Sequence, residues 1–234
     1  MPRFLRFQRS GHLFYVFCRS SGRLDLFPTS EDAKTYLNYF QEARNKYPLK
    51  VFNYVFLKEQ IHFLIETEED GHLSKVMEVV TKRYAKYYNR KYKNMGHVFW
   101  GRYKSYLVQA DKYFLACCQY IDEAAVKAGL VKDSKEYPWG GFQQLAHKKE
   151  GYLKVDQHKF YESLGKNDKE RAMVYRAVIL QSNQVDIDPI SQRGVVIGDK
   201  EFKEKSKGLV LSLALGGSCR SIPKRSIQKI MSPT

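Results

Sequence analysis

Apolar positions along the first 130 residues switch repeatedly between a period of two and a period near 3.6. Leu13 to Cys18 is a compact apolar and aromatic run bounded by Gly11 and by Ser20-Ser21-Gly22, the pattern of a buried strand. Thr29-Ser30-Glu31-Asp32 offers an N-cap with an acid three residues on. Ala33, Tyr36, Leu37, Phe40 and Ala43 follow at helical spacing until Tyr47-Pro48 stops them. Val51 to Leu57 and Ile61 to Glu66 are β-type runs separated by Lys58-Glu59-Gln60, short enough for an antiparallel hairpin. Leu73, Val76, Met77, Val80, Tyr84 and Tyr87 then recur at helical steps and predict a long second helix, broken at Asn94-Met95-Gly96. Val98 to Val108 predicts a fourth strand with Trp100, Arg102, Lys104 and Tyr106 on one face. Asp111 to Ala128 predicts a third helix ended by Gly129.

The order β-α-β-β-α-β-α predicts an α+β fold, a ferredoxin-like βαββαβ antiparallel sheet with helices on one face and an added helix at its C-terminal end. Fold alone says nothing about chemistry. Beyond Tyr137-Pro138-Trp139-Gly140-Gly141 the composition turns polar, with helices expected near Gln157 to Leu164 and Asp168 to Leu180. A boundary near residue 148 is therefore expected, dividing a domain over 1–148 from a mostly helical C-terminal extension over 149–234. No internal repeat is visible.

Charge changes the picture more than hydropathy does. The 40 Lys and Arg against 25 Asp and Glu leave a net charge of +15 in 234 residues, too lopsided for an ordinary metabolic enzyme and suited to a polyanion. A membrane surface is the lesser candidate, since no apolar run approaches the roughly 18 residues that span a bilayer. Arg3, Arg6 and Arg9 are followed by no apolar region long enough for a secretory signal. Cys18, Cys117, Cys118 and Cys219 lack C-x-x-C spacing, against both a zinc ribbon and a disulfide framework, and a reducing cytoplasm fits best.

The basic character concentrates between Thr81 and Tyr113, which hold nine Lys or Arg, one acid and nine aromatics. Cations tether phosphates while rings stack on unpaired bases. A solvated helix face over core tyrosines is the plainer account. Tyr88 and Tyr92, however, fall outside the apolar stripe and are expected to be surplus to the core. Arg83, Lys86 and Arg90 form one expected DNA-facing ridge, and Trp100, Arg102 and Lys104 a second contact on the fourth strand.

At Gln60-Ile61-His62, strand alternation sends Ile61 inward and aims Gln60 and His62 the same way from the other face. Two such neighbours can hold a divalent metal, although a lone strand histidine is more often structural and a Gln oxygen is a weak ligand. Tyr120, with Glu123 and Ala124 after it on the third helix, is one of 17 tyrosines and is not singled out by its surroundings.

Several segments taken together resemble one family. They are Gln60-Ile61-His62-Phe63-Leu64-Ile65, Tyr84-Ala85-Lys86-Tyr87-Tyr88-Asn89-Arg90-Lys91-Tyr92, Gly96-His97-Val98-Phe99-Trp100-Gly101-Arg102-Tyr103-Lys104-Ser105 and Tyr120-Ile121. Val126-Lys127-Ala128-Gly129-Leu130-Val131, ahead of Tyr137-Pro138-Trp139, completes the set. In order and spacing they resemble the HUH-type tyrosine transposases, in particular the REP-associated branch, over roughly residues 8 to 145. The resemblance implies that Tyr120 on the added helix is the nucleophile. It also implies that the His-hydrophobic-His positions bind Mg²⁺ or Mn²⁺, and that the substrate is single-stranded or hairpin DNA, nicked and rejoined through a 5′-phosphotyrosine. The setting it implies is cytoplasmic and nucleoid-associated, and the state, monomer or homodimer, stays open.

The departures fall on the expected metal site. Gln60 stands where the family has its first His, Ala124 where a polar residue usually completes the site, and Tyr15 where a first-strand His is common. Glu123 is an expected substitute oxygen ligand beside His62 and Gln60, and would suit a hard cation. Losing an imidazole and a polar ligand weakens such a site. Two functions are therefore carried forward: a nicking and joining transposase with a weakened metal site, or a catalytically silent module that binds DNA hairpins. An RNA-binding ferredoxin-like domain fits less well, because Gly101-Arg102-Tyr103-Lys104-Ser105-Tyr106 lacks the aromatic spacing of the usual RNA-binding strand. Gly198-Asp199-Lys200-Glu201-Phe202 resembles the C-terminal extension of that branch, and Pro223-Lys224-Arg225-Ser226 the start of a further helical module.

Overall fold

The computed structural model describes residues 8–180 and 196–206; Cys219 and the Pro223-Lys224-Arg225-Ser226 segment lie outside them. The chain runs β1 (Leu13–Arg19), α1 (Ser30–Lys46), β2 (Leu49–Phe56), β3 (Gln60–Thr67), α2 (His72–Tyr92), β4 (Lys104–Val108), α3 (Lys112–Asp122), α4 (Ala124–Lys127), α5 (Phe142–His147), α6 (Lys159–Glu162), α7 (Asp168–Leu180) and β5 (Val196–Ile197). The sheet order is β2-β3-β1-β4-β5, the ferredoxin-like arrangement with one strand added at an edge. β1 pairs antiparallel with both β3 and β4, whereas β5 pairs parallel with β4. The sheet is thus mixed rather than wholly antiparallel. A two-residue strand is too short for its periodicity to be seen in sequence.

Alternation along β1 divides the protein into two apolar layers. Phe14, Val16 and Cys18 pack with Tyr36, Phe40, Val76, Val80 and Tyr84 beneath α1 and α2. Leu13, Tyr15 and Phe17 pack on the opposite side with Leu64, Tyr106, Phe114, Cys117 and Ile121 beneath α3. Tyr161 of α6, Tyr175 and Ile179 of α7 and Ile197 of β5 belong to this second core. Residues beyond 148 therefore share the core of the residues before it.

Three local expectations are corrected. The fourth strand starts at Lys104 rather than Val98. Residues 98–100 cross the end of β1 instead, through Ser21 N–H to Val98 O (2.9 Å) and Trp100 N–H to Arg19 O (2.8 Å). Gly101 then takes φ +72°, which no strand contains. Trp100 and Arg102 accordingly do not alternate with Lys104 on a strand. The third helix is two pieces, because the Ser134 hydroxyl occupies the Asp122 carbonyl (2.7 Å) at the joint between α3 and α4. Finally, Tyr88 and Tyr92 are not surplus. The buried stripe of α2 steps from Tyr84 to Tyr88, whose hydroxyl donates to Asp25 O (3.0 Å), and Tyr92 donates to Asp32 (2.6 Å).

Asp32 ties the two helices of the first layer together. Its carboxylate accepts from Thr29 N–H (2.9 Å), closing the expected cap of α1. It also accepts from Lys91 Nζ (2.8 Å), Tyr87 (2.9 Å) and Tyr92 at the far end of α2. Burial works to raise its pKa, but hydrogen bonds from Lys91, Tyr92 and Thr29 outweigh that and hold it at about 2 against an ordinary 3.8. A depressed carboxylate pKa contributes stability above the unfolded value, lost as pH falls through the folded one. With partial solvent screening at Lys91, this is worth about 1–2 kcal/mol. Asp32→Asn is expected to be less stable at neutral pH and to show a flatter loss of stability between about pH 4 and pH 2, measured by urea unfolding. Equally steep acid limbs in the two proteins would exclude this contribution.

Candidate active site and nucleic-acid interface

Register places the chemistry-bearing side chains on one sheet face. Arg19 pairs with Gln60 and Phe17 with His62 across β1 and β3, while Phe17 faces Lys104 across β1 and β4. Because alternate residues share a face, Arg19, Gln60, His62 and Lys104 all stand on the side that carries α3. Apolar packing covers this face over most of its area, but Arg19 and Lys104 are exposed and Gln60 half-buried at its end.

The third helix brings Tyr120 to the same place. Its ring lies 6.1 Å from the His62 ring and 5.9 Å from that of Tyr15, both edge-on, and Lys127 Nζ stands 5.5 Å from its centre. Tyr120 and His62 thus share one cleft. His62 itself is 1% exposed, and burial lowers its pKa to about 3, so its imidazole is neutral throughout the physiological range.

The ring nitrogens of His62 are both engaged. Nδ1 is 2.5 Å from the Tyr15 hydroxyl, and Nε2 is 3.2 Å from Gln60 Oε1. Gln60 Oε1 accepts from Nε2–H while Tyr15 donates to Nδ1. Moving the proton to Nδ1, with the Tyr15 oxygen accepting, releases the Nε2 lone pair toward Gln60. Two donors about 2.1 Å from one cation at right angles lie about 3.0 Å apart, close to the 3.2 Å that separates His62 Nε2 from Gln60 Oε1. Tyr15 then does what an outer-shell partner does, setting the tautomer and orientation of the ligand.

Glu123 is not brought into this pair. Its carboxylate accepts from Gln119 Nε2 (2.7 Å) and pairs with Lys127 (2.9 Å) at the α3–α4 joint. Among the described residues no group of three His, Cys, Asp or Glu is gathered for a metal. Ala124 is buried in the second core and offers no ligand atom. His62 and Gln60 are the two residues here that would hold a cation.

A groove of about 760 Å³ opens between α2 and residues 96–103, lined among others by Thr81, Lys82, Asn89, His97, Trp100 and Arg102. Trp100 is 67% exposed, and the Arg19 guanidinium lies over its ring at 5.1 Å. The groove rim and the His62 cleft therefore meet at Arg19, which the sequence reading passed over. Its alternation with Phe17 was the available signal. The expected basic ridge divides. Lys86 and Arg90 are exposed on α2, whereas Arg83 turns to α1, paired with Glu42 at 2.5 Å and resting 4.1 Å over Tyr39. Lys82 faces the groove instead. Lys91, counted in the basic stretch, is committed to Asp32.

A second group escaped the sequence reading. Asp122, buried two residues past Tyr120, accepts from Asn53 Nδ2 (2.8 Å) and from the Tyr175 hydroxyl (2.5 Å). Burial pushes its carboxyl up to about 7 against the lowering effect of these hydrogen bonds. None of the described helices is long and apolar enough to cross a membrane.

Comparison with known proteins follows the same lines. No curated protein matches the chain. A solved structure described as the REP-associated tyrosine transposase bound to a REP hairpin superposes with a TM-score of 0.54 at 16% identity, covering 67% of this chain and 93% of that one. At that identity the likeness establishes the fold. The family model for IS200-like transposases matches residues 12–124, a span that takes in β1, the His62 pair and Tyr120. The domain that these residues form belongs to the IS200-like transposase family.

Proposed function

We propose that the chain is a transposase of the REP-associated type, which holds a DNA hairpin with its adjoining single strand and joins Tyr120 to a phosphate of that strand. The observation that carries this reading is the meeting of Tyr120, His62 and Gln60 in one cleft, with Arg19 and Lys104 exposed at its mouth. The solved structure with the same fold is bound to a REP hairpin, which supports a hairpin as partner here. The setting that follows is DNA recombination in the cytoplasm, at the nucleoid.

In this reading the hairpin stem lies along the exposed cations of α2, Lys82, Lys86 and Arg90. Unpaired bases stack at Trp100, and Arg19, Arg102 and Lys104 carry the backbone toward His62. The Tyr120 oxygen forms a bond to phosphorus as the bond to the 3′ oxygen breaks. The phenol proton passes to solvent, and the leaving oxygen takes a proton from solvent to become a 3′-OH. The 5′-phosphotyrosine keeps the bond energy, so a free 3′-OH can reseal the strand. His62 and Gln60 are the residues that would hold Mg²⁺ or Mn²⁺. When bound, the cation supplies Lewis-acid polarisation of the phosphate oxygens.

A second reading, a hairpin-binding module without catalysis, is favoured by one observation: Glu123, the substitute ligand expected from sequence, is occupied by Gln119 and Lys127. A labelled REP-like hairpin with a single-stranded flank separates the two. With Mn²⁺, a covalent adduct that vanishes in Tyr120→Phe is expected, and tight binding without adduct would establish the module instead. Gln60→His together with Ala124→Asn is expected to raise cleavage about 10-fold or more. Unchanged cleavage would remove those positions from the site. Arg102→Glu is expected to weaken hairpin binding and flatten the slope of log affinity against log salt by about one. An unaltered slope would take the groove rim out of the interface.

A further inference from the structure

The helix that carries Tyr120 is held to the sheet by apolar contacts on one side and by a buried polar cluster on another. Phe114 near its start and Ile121 near its end are its large core residues, while Ala116, Cys117 and Cys118 between them are small. Asp122 lies about 160° around the helix from Tyr120, on the side turned to β2 and α7. There it meets groups from two elements distant in sequence, Asn53 of β2 and Tyr175 of α7. One residue earlier than Tyr120, Gln119 Nε2 donates to Ile179 O of α7 at 3.2 Å.

The aim of Asn53 has its own cause. β2 shifts register against β3 between Val51, opposite Ile65, and Asn53, opposite Leu64, leaving Phe52 as the extra residue. This bulge puts Phe52 and Asn53 on the α3 side in succession, where strict alternation would have sent Asn53 to the α1–α2 core. The asparagine is sealed in place, since a Cβ on Gly141 would lie 2.4 Å from its Oδ1.

We infer that Asn53, Asp122 and Tyr175 are positioning residues that set the roll of α3, so that helix α7 of the C-terminal extension aims Tyr120 at His62. A tyrosine hydroxyl stands about 9 Å from its helix axis, so a roll of only about 20° moves it about 3 Å. Displacement on that scale is enough to cost roughly 100-fold in a reaction that depends on in-line approach. The inference deepens the transposase reading for the catalytic consequence, but the aim of the Tyr120 ring can be read without catalysis.

The test uses the full chain with 3-fluorotyrosine incorporated, the ¹⁹F signal of Tyr120 being assigned by its loss in Tyr120→Phe. Tyr175→Phe and Asp122→Asn, each alone, are expected to shift or broaden that signal. Each is expected to slow adduct formation on saturating hairpin 10- to 100-fold while leaving hairpin affinity within about twofold. The reciprocal pair, Asn53→Asp with Asp122→Asn, restores a carboxylate opposite an amide and is expected to bring back the signal and most of the rate. A Tyr120 signal unmoved in Tyr175→Phe and in Asp122→Asn, with only the melting temperature lowered, would overturn the inference. Should Asp122→Asn fail to fold, Tyr175→Phe decides alone. A wild-type protein without adduct would overturn the transposase reading, while the fluorine signals would still decide the positioning role.

Discussion

Everything in this molecule is arranged around β1, the central strand of the five, which pairs antiparallel with β3 along one edge and with β4 along the other. Its seven residues must alternate between two faces, and both faces are covered, so every side chain is committed to one layer or the other. Phe14, Val16 and Cys18 anchor the layer of α1 and α2, while Leu13, Tyr15 and Phe17 anchor the layer of α3 and α7. Arg19, last in the second series, cannot be buried and marks where the apolar cover stops. The cleft forms at that limit, where the neighbouring strands contribute Gln60, His62 and Lys104 on the same face.

Burial explains the character of the site. His62 is enclosed deeply enough to be neutral, so it acts through lone pair and N–H rather than through charge, and the Tyr15 hydroxyl selects between its two tautomers. The cations lie outside the enclosure, at Arg19, Lys104 and Lys127, where they remain hydrated until a polyanion displaces water and counterions. A neutral interior beside a charged mouth is the arrangement that the proposed phosphodiester chemistry would use.

The basic and aromatic stretch shows how one composition serves two ends. Lys91, Tyr87 and Tyr92 close on Asp32 and fasten α2 to α1, and Tyr88 fastens α2 to the loop before α1. Arg83 is likewise held by Glu42 and Tyr39. The cations left for a partner, among them Lys82, Lys86, Arg90, Arg102 and Lys104, are fewer than the sequence density suggests. Lys82 and Arg102 line the groove, and Lys86, Arg90 and Lys104 are exposed outside it.

The sequence by itself determined the order of elements, the alternation that turns Gln60 and His62 the same way, and the basic character of the chain. Each of these is a local property, set by the period of apolar positions or by composition. Only the tertiary structure decided that Gly101 ends the run of alternation before Lys104, since a positive φ is a backbone state that hydropathy does not record. It alone decided that Tyr88 belongs to the core, that Glu123 is taken by its helical neighbours, and that β5 joins in parallel. The cluster of Asn53, Asp122 and Tyr175 spans 122 residues and depends on a bulge in β2. A contact between elements so far apart follows from how two layers close on one strand, and no window along the chain contains it.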